Sequence, residues 1–256
     1  MGYTLPRRKI VRVPTTAEIA AAYGRLGLST AHLMHPGGLP TRVGKRLLSY
    51  LEYRANVLNL HVEPRLMNVD RARSVFSELR DSLSPRCPLP MNKQRGEKRG
   101  PAYLTCIVNM LIEAHSRGHP CDYDPRSLTK FTRNNAPLRT LARRVDGAFP
   151  STINPVAVWE IKEYYYTTTF GSRVADGVYE TLLDGMELAE LSTTEGVRVR
   201  HYLIVDSHYT WWECGRSYLC RMVDMLHMGY VDEILFGYET VERLPGIVQD
   251  WIELAT

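Results

Sequence analysis

The sequence predicts an α/β fold, with a central mixed β-sheet flanked by helices and a basic, mainly helical N-terminal layer in front of it. Three observations lead there. From about residue 155 onward, short apolar runs rich in Val, Ile, Trp and Tyr alternate with amphipathic helical stretches, the pattern of a sheet with helices packed against it. The first 130 residues instead show helical periodicity broken by irregular segments. Charge divides in a similar way: residues 1–150 carry 25 Lys and Arg against 11 Asp and Glu (+14), and residues 151–256 carry 7 against 17 (−10).

Taken in order, residues 1–40 are punctuated by Pro6, Pro14, Pro36, Gly37, Gly38 and Pro40 around a short helix near 16–26. An amphipathic helix follows over 42–60, where Leu47, Leu48, Leu51, Ala55 and Leu58 recur at helical spacing. A further helix is expected over 70–83. Residues 85–100 hold several prolines and the cations Lys93, Arg95, Lys98 and Arg99, which make a basic exposed loop. Residues 103–117 form a helix with a mostly apolar face. The pattern then predicts strands over 138–148 and 155–165, a helix over 173–191 and a short buried strand over 201–207. A helix over 212–228, a strand over 231–237 and a closing helix over 241–254 complete the chain. With no repeat and no low-complexity tract, we expect a single domain over 1–256: a basic helical part over 1–130 and a sheet core over 131–256.

Composition excludes several classes. Charged residues at 23% and hydrophobic ones at 44% are ordinary for a globular chain, which rules out disorder, collagen and coiled coil. The longest apolar run, 101–112, stops at Glu113, short of the roughly 18 residues of a membrane span, so no membrane partner is expected. Residues 11–22 include Arg12 and Glu18 and are not a secretory core. Five cysteines are odd in number and too few for a disulfide scaffold, the signature of reduced thiols in a cytoplasmic protein. His115, His119, Cys121 and Cys106, or His32 with His35, lack the Cys-x2-Cys spacing of a strong zinc site. Neither a Gly-x-Gly-x-x-Gly nor a Walker motif occurs, so no nucleotide cofactor is expected, and no Gly-x-Ser-x-Gly supports serine-hydrolase chemistry.

A +14 half points to a polyanionic partner. The cations are 26 Arg and 6 Lys, and arginine makes planar bidentate contacts to phosphate and guanine. A GC-rich genome explains the ratio equally well, but not the charge.

Chemistry concentrates in the strand over 155–165. Alternation places Val156, Val158, Glu160 and Lys162 on one face and Ala157, Trp159 and Ile161 on the other. A carboxylate and an ammonium thus project together from an apolar strand, where charges cost free energy unless they pair or bind something. Asp146, in Val-Asp-Gly at the end of the preceding strand, comes beside Glu160 if the two strands form a hairpin. Two carboxylates and a lysine suit a hard divalent cation and a polarised water. Lys162 is also the only lysine after Lys130, in a stretch that otherwise uses arginine.

Asp146 followed by Glu160-Ile161-Lys162 resembles the active-site motif of the PD-(D/E)XK nuclease superfamily, especially its type II restriction endonucleases. The likeness covers roughly residues 40–240 in layout: helix, strand with Asp, strand with Glu-x-Lys, helix, strand. Val145 stands where the motif's proline is usual. The resemblance implies a restriction-endonuclease-like core and Mg²⁺ held by Asp146 and Glu160, with the Ile161 carbonyl completing the shell. It implies that Lys162 orients or deprotonates the attacking water and stabilises charge on the scissile phosphate. It also implies an acid from an earlier helix, for which Glu52 is the candidate; the alternative for Glu52 is a solvated helix glutamate. Glu163 points to the other face and is structural.

DNA contacts are expected from Lys93, Arg95, Lys98 and Arg99, and from Arg133, Asn134, Asn135, Arg139, Arg143 and Arg144, whose residue types pair with phosphates and base edges. Tyr165, Thr167, Thr168 and Arg173 follow the Glu-x-Lys strand and offer further donors. For the loop, the tyrosine–threonine run and Arg173, a purely structural role fits as well. The expected function is Mg²⁺-dependent endonucleolytic cleavage of double-stranded DNA by a homodimeric, sequence-specific restriction enzyme. The alternatives are a repair, recombination or phage nuclease of the same fold, and a nucleic-acid-binding protein without catalysis.

Overall fold

The computed structural model describes residues 9–92, 100–167 and 171–256, apart from the Arg173 side chain. Helix α1 (Thr16–Arg25) opens with a capping box in which Thr15 and Glu18 satisfy each other's backbone amides. Helix α2 (Arg42–Asn56), capped by Thr41, runs on through a π-helical turn (Val57–Val62) and a 3-10 turn (Glu63–Arg65), so the expected helix extends further than its apolar periodicity. Helix α3 (Val69–Leu83) is capped by Asn68, and α4 (Tyr103–His115) is almost wholly buried.

Strands β1 (Lys130–Arg133) and β2 (Ala136–Thr140) form a two-stranded antiparallel sheet, turned at Asn134 and Asn135 with φ of +51° and +63°. Asparagine tolerates that left-handed backbone better than other non-glycine residues. The main sheet has the order β3 (Gly147–Phe149), β4 (Ala157–Glu163), β5 (Arg200–Asp206), β6 (Glu233–Phe236). β3 is antiparallel to β4, while β4, β5 and β6 are parallel. The parallel pairs are linked by α5 (Ser172–Glu195) and by a π-helical turn (His208–Cys214) with α6 (Arg216–His227); α7 (Glu239–Ala255) closes the chain.

This is the expected α/β architecture with a mixed four-stranded sheet. One expectation is corrected. The continuous strand over 138–148 is two strands in two sheets, and residues 141–146 cross between them. Leu141 and Val145 are both buried, but in a separate cluster with Phe131, Val158 and Leu191, so their burial follows the crossing and not a pleat. β1 was not foreseen.

Alternation along β4 decides what each face packs against. Ala157, Trp159 and Ile161 join the core beneath α3, α4 and α7, where the Trp159 and Trp251 rings stack at 5.3 Å. The opposite face meets α5. There Val174 and Val178 enter one apolar cluster, and Leu188 and Leu191 enter another, with Val158. Between the two, Gly177 lies against the Lys162 side chain, the buried Thr181 hydroxyl donates to the Gly177 carbonyl, and buried Asp184 meets Arg143. A polar island therefore divides the core on this face.

Candidate active site

Glycine sets the Asp146 end of the island. Gly147 pairs with Trp159 across β3 and β4, and a Cβ there would lie 2.0 Å from the indole. The ring can lie over β3 only because that position carries no side chain, and one step along the same register Asp146 falls opposite Glu160. The Asp146 amide donates to the Trp159 carbonyl (3.1 Å), and its Oδ2 accepts from the Ile161 amide (2.7 Å). β4 supplies Glu160, fully buried, and Lys162, whose Nζ donates to Glu160 Oε2 at 2.7 Å. Gly177 leaves space for that lysine: a Cβ on it would meet Lys162 Cδ at 3.1 Å.

Two acids on α5 complete the cluster. Asp184 is fully buried and Glu180 about half exposed; Glu180 Oε2 lies 3.6 Å from Lys162 Nζ. Arg143, from the 141–146 crossing, inserts its guanidinium among three carboxylates. Its Nη1 lies 3.1 Å from Glu160 Oε1 and donates to Asp184 Oδ2, and its Nη2 donates to Glu180 Oε2 at 3.3 Å. Two buried oxygens, Glu160 Oε1 and Asp184 Oδ1, still have no hydrogen bond.

The electrostatics follow from four carboxylates around two cations. Burial disfavours the Lys162 ammonium, but the Glu160 and Asp146 charges outweigh it and hold its pKa above the usual lysine value. Arg143 is likewise opposed by burial and held charged by Glu160, Asp184 and Glu180. Burial first and the Glu160 charge second push Asp184 up to about 7 and Asp146 up to about 6. Asp146 is exposed at the rim, so solvent screens part of that penalty.

The structure thus brings together Asp146, Glu160, Lys162 and the Ile161 backbone. Glu52 is exposed on α2, and its side chain makes no ion pair or hydrogen bond among the described residues; besides Glu160, the carboxylate paired with Lys162 is Glu180 of α5, at 3.6 Å. Among the described residues no three acidic, His or Cys side chains form a ready cage for a metal ion. Asp184 escaped the sequence reading, although a signal existed: it falls in phase with Val174, Val178, Thr181, Leu188 and Leu191, a charge on the buried stripe of a helix.

Several of the expected DNA contacts among the described residues are engaged internally. Arg133 pairs with Glu195 at 3.8 Å and Arg139 with Glu190 at 2.8 Å, so with Arg143 three of these arginines lie along acidic α5. Arg54–Asp224 and Arg65–Glu242 join the halves elsewhere, and part of the +14/−10 asymmetry is therefore complementarity within the molecule. Asn134 and Asn135 owe their identity to the hairpin turn. The Tyr165 hydroxyl donates to Asp206 Oδ2 at 2.5 Å and its ring packs against the core under α4. Arg144 is exposed and donates to the Pro125 carbonyl at 3.4 Å, and the Thr167 amide closes a turn onto Tyr164. Lys93, Arg95, Lys98, Arg99, Thr168 and the Arg173 side chain lie outside the described residues.

No helix among the described residues is long and apolar enough to cross a membrane. Nothing among the curated proteins matches this chain, and no solved structure does. A family model described as Domain of unknown function (DUF7690) matches residues 1–61. A second, Domain of unknown function (DUF7687), matches residues 67–251, so most of the chain, including every residue of the polar island, belongs to that family.

Proposed function

We propose that the protein is a Mg²⁺-dependent endonuclease that hydrolyses phosphodiester bonds of double-stranded DNA, with a restriction-endonuclease-like core and the role of a sequence-specific type II restriction enzyme. The observation that carries this reading is the Lys162 ammonium beside Glu160 on β4, with Asp146 opposite, one residue before antiparallel β3. The order α4, β3, β4, α5 and parallel β5 also agrees with the layout of the superfamily that the motif resembles.

Glu160 Oε1 and Asp184 Oδ1 fit a hard cation as donors, because both are buried carboxylate oxygens without a hydrogen bond. Glu160, Asp146 and the Ile161 carbonyl would hold Mg²⁺, which when bound supplies Lewis-acid polarisation of phosphate and water. Lys162 would orient the attacking water and stabilise charge building on the phosphate. Asp146 accepts from the Ile161 amide through Oδ2 at 2.7 Å, which orients the carboxylate beside Glu160. Contact with DNA is supported by Arg42, Lys45 and Arg46, exposed on α2 without an ion pair among the described residues. A homodimer with one site per strand would match cleavage of a palindrome.

The test is incubation of the purified protein with phage-sized DNA in Mg²⁺ and in EDTA, beside Lys162→Ala. Discrete fragments that need both Mg²⁺ and Lys162 are expected. A smear with the same dependences moves the role to a repair, recombination or phage nuclease. Intact DNA in every lane, with tight salt-sensitive binding, overturns the catalytic reading in favour of a binding protein.

A further inference from the structure

We propose that Arg143 is a resident cation that gives way to a divalent one, and that Asp184 is a metal ligand of the site. The inference rests on the nuclease reading for the cation's purpose, but its evidence is the geometry around the guanidinium.

Arg143 does what a metal would do, imperfectly. It draws Glu160, Asp184 and Glu180 around a single positive group, with contacts of 3.1 Å to Glu160 Oε1 and 3.3 Å to Glu180. A guanidinium offers donors only in its plane. It satisfies Asp184 Oδ2 but leaves Asp184 Oδ1 buried without a hydrogen bond, and it meets Glu160 Oε1 only as an ion-pair contact at 3.1 Å whose geometry is not that of a hydrogen bond. A buried carboxylate oxygen that its own cation does not satisfy is a donor suited to a less directional partner. A hard divalent cation has no such directional demand and gathers several oxygens at once. The formal charge agrees: Asp146, Glu160, Glu180 and Asp184 give four negative charges against Arg143 and Lys162, an excess of two.

The side chain is placed to leave. Residues 141–146 belong to no strand, and the buried Leu141 and Val145 pin the backbone on either side of Arg143. The guanidinium side chain is 25% exposed, whereas Asp184 and Glu160 are sealed at 0%. Exchange therefore moves one side chain toward solvent and leaves the backbone in place. The released guanidinium stays at the rim, where it can meet a phosphate. Arg143 thus competes with a cation for these carboxylates, and its release couples metal loading to the arrival of an anion.

The test is Mn²⁺ binding to the full chain, without DNA, followed by titration calorimetry. Arg143→Gln should bind Mn²⁺ about tenfold or more tightly than wild type, and millimolar guanidinium ion should compete with Mn²⁺ in the variant but not in wild type. Asp184→Asn should lose at least about tenfold in affinity. If Arg143→Gln does not fold alone, its melting temperature should be restored selectively by Mn²⁺; indifference to Mn²⁺ counts against the proposal. Equal affinity in wild type and Arg143→Gln overturns the displaced-cation role while leaving the metal reading intact. Wild-type affinity in Asp184→Asn removes Asp184 from the site. Absence of Mn²⁺ binding in every form, Arg143→Gln included, overturns the metal reading with it.

Discussion

Glu160 and Glu163 stand on opposite faces of β4, and each meets a second acid: Glu160 meets Asp184 of α5, and Glu163 meets Asp206, its register partner on β5. The first pair is surrounded by Arg143 and Lys162. The second is held by neutral donors. Glu163 accepts from the Thr105 amide at 2.9 Å, capping α4, whose own N-cap residue Ala102 offers no side chain. Asp206 accepts from the Met67 and Ser207 amides at 2.7 and 2.8 Å and from the Tyr165 hydroxyl. Ser207 adopts φ of +117° there, so strained backbone is part of how that second pair is held. Burial pushes Glu163 and Asp206 each up to about 7, against their amide and hydroxyl donors. The contrast teaches that one strand carries two solutions to buried acidity, countercharge on one face and neutral hydrogen-bond donors on the other. Only the face with countercharge has a cation to exchange.

The largest effect expected from breaking this contrast is at Lys162. Lys162→Ala leaves Glu160 without its 2.7 Å partner and should cost about 3–5 kcal/mol in a urea melt. On the nuclease reading it should also lower cleavage by about a thousandfold or more. A fully stable Lys162→Ala would show that Arg143 alone suffices.

The second test concerns the face held by neutral donors. Asp206 and Glu163 have pKa values near 7 in the fold against ordinary values of 3.8 and 4.5. A raised carboxyl contributes its full stability below the unfolded pKa, and the contribution is lost as pH rises through the folded one. Stability should therefore fall between about pH 4 and 7, by at most about 1.4 kcal/mol per pH unit and group. Asp206→Asn should flatten that slope and overtake wild type above pH 7 in thermal melts at successive pH values; an unchanged slope would mean that the amides already hold Asp206 ionised.

Gly177→Ala sharpens the comparison further. Helix propensity gains about 1 kcal/mol, while the new methyl crowds Lys162 Cδ at 3.1 Å. Stability should change by less than about 1 kcal/mol, while DNA cleavage falls several-fold; unchanged cleavage would show that the lysine has room to shift. Arg139→Ala should cost under about 1 kcal/mol, because its Glu190 partner is mostly exposed.

What the sequence made legible follows from local rules. Period-two alternation in β4 put Glu160 and Lys162 on one face, and the Asp-Gly step allowed Asp146 to sit opposite. Helix periodicity located α2, α3 and α5 to within a few residues. The break at 141–146 was not legible, because Leu141 and Val145 carry strand-like apolar spacing whichever cluster they enter. Arg143 was named as a phosphate contact because its type is visible in sequence, whereas its neighbours depend on how α5 crosses β4. The burial of Asp184 beside Arg143 was not legible for the same reason, while Glu52 was named because α2 precedes the motif. Charge asymmetry was read as a partner's signature, while Arg139–Glu190 and Arg54–Asp224 show halves that complement each other.

The stack of Trp159 on Trp251 is nearly coplanar, at 9° between rings. Two indoles in that arrangement couple their electronic transitions, and one of them lies on the strand that carries Glu160 and Lys162. The pair is consequently a built-in optical reporter: its near-ultraviolet circular dichroism reads the docking of α7 against β4 from the face opposite the polar island, with no label and no substitution among the charged residues.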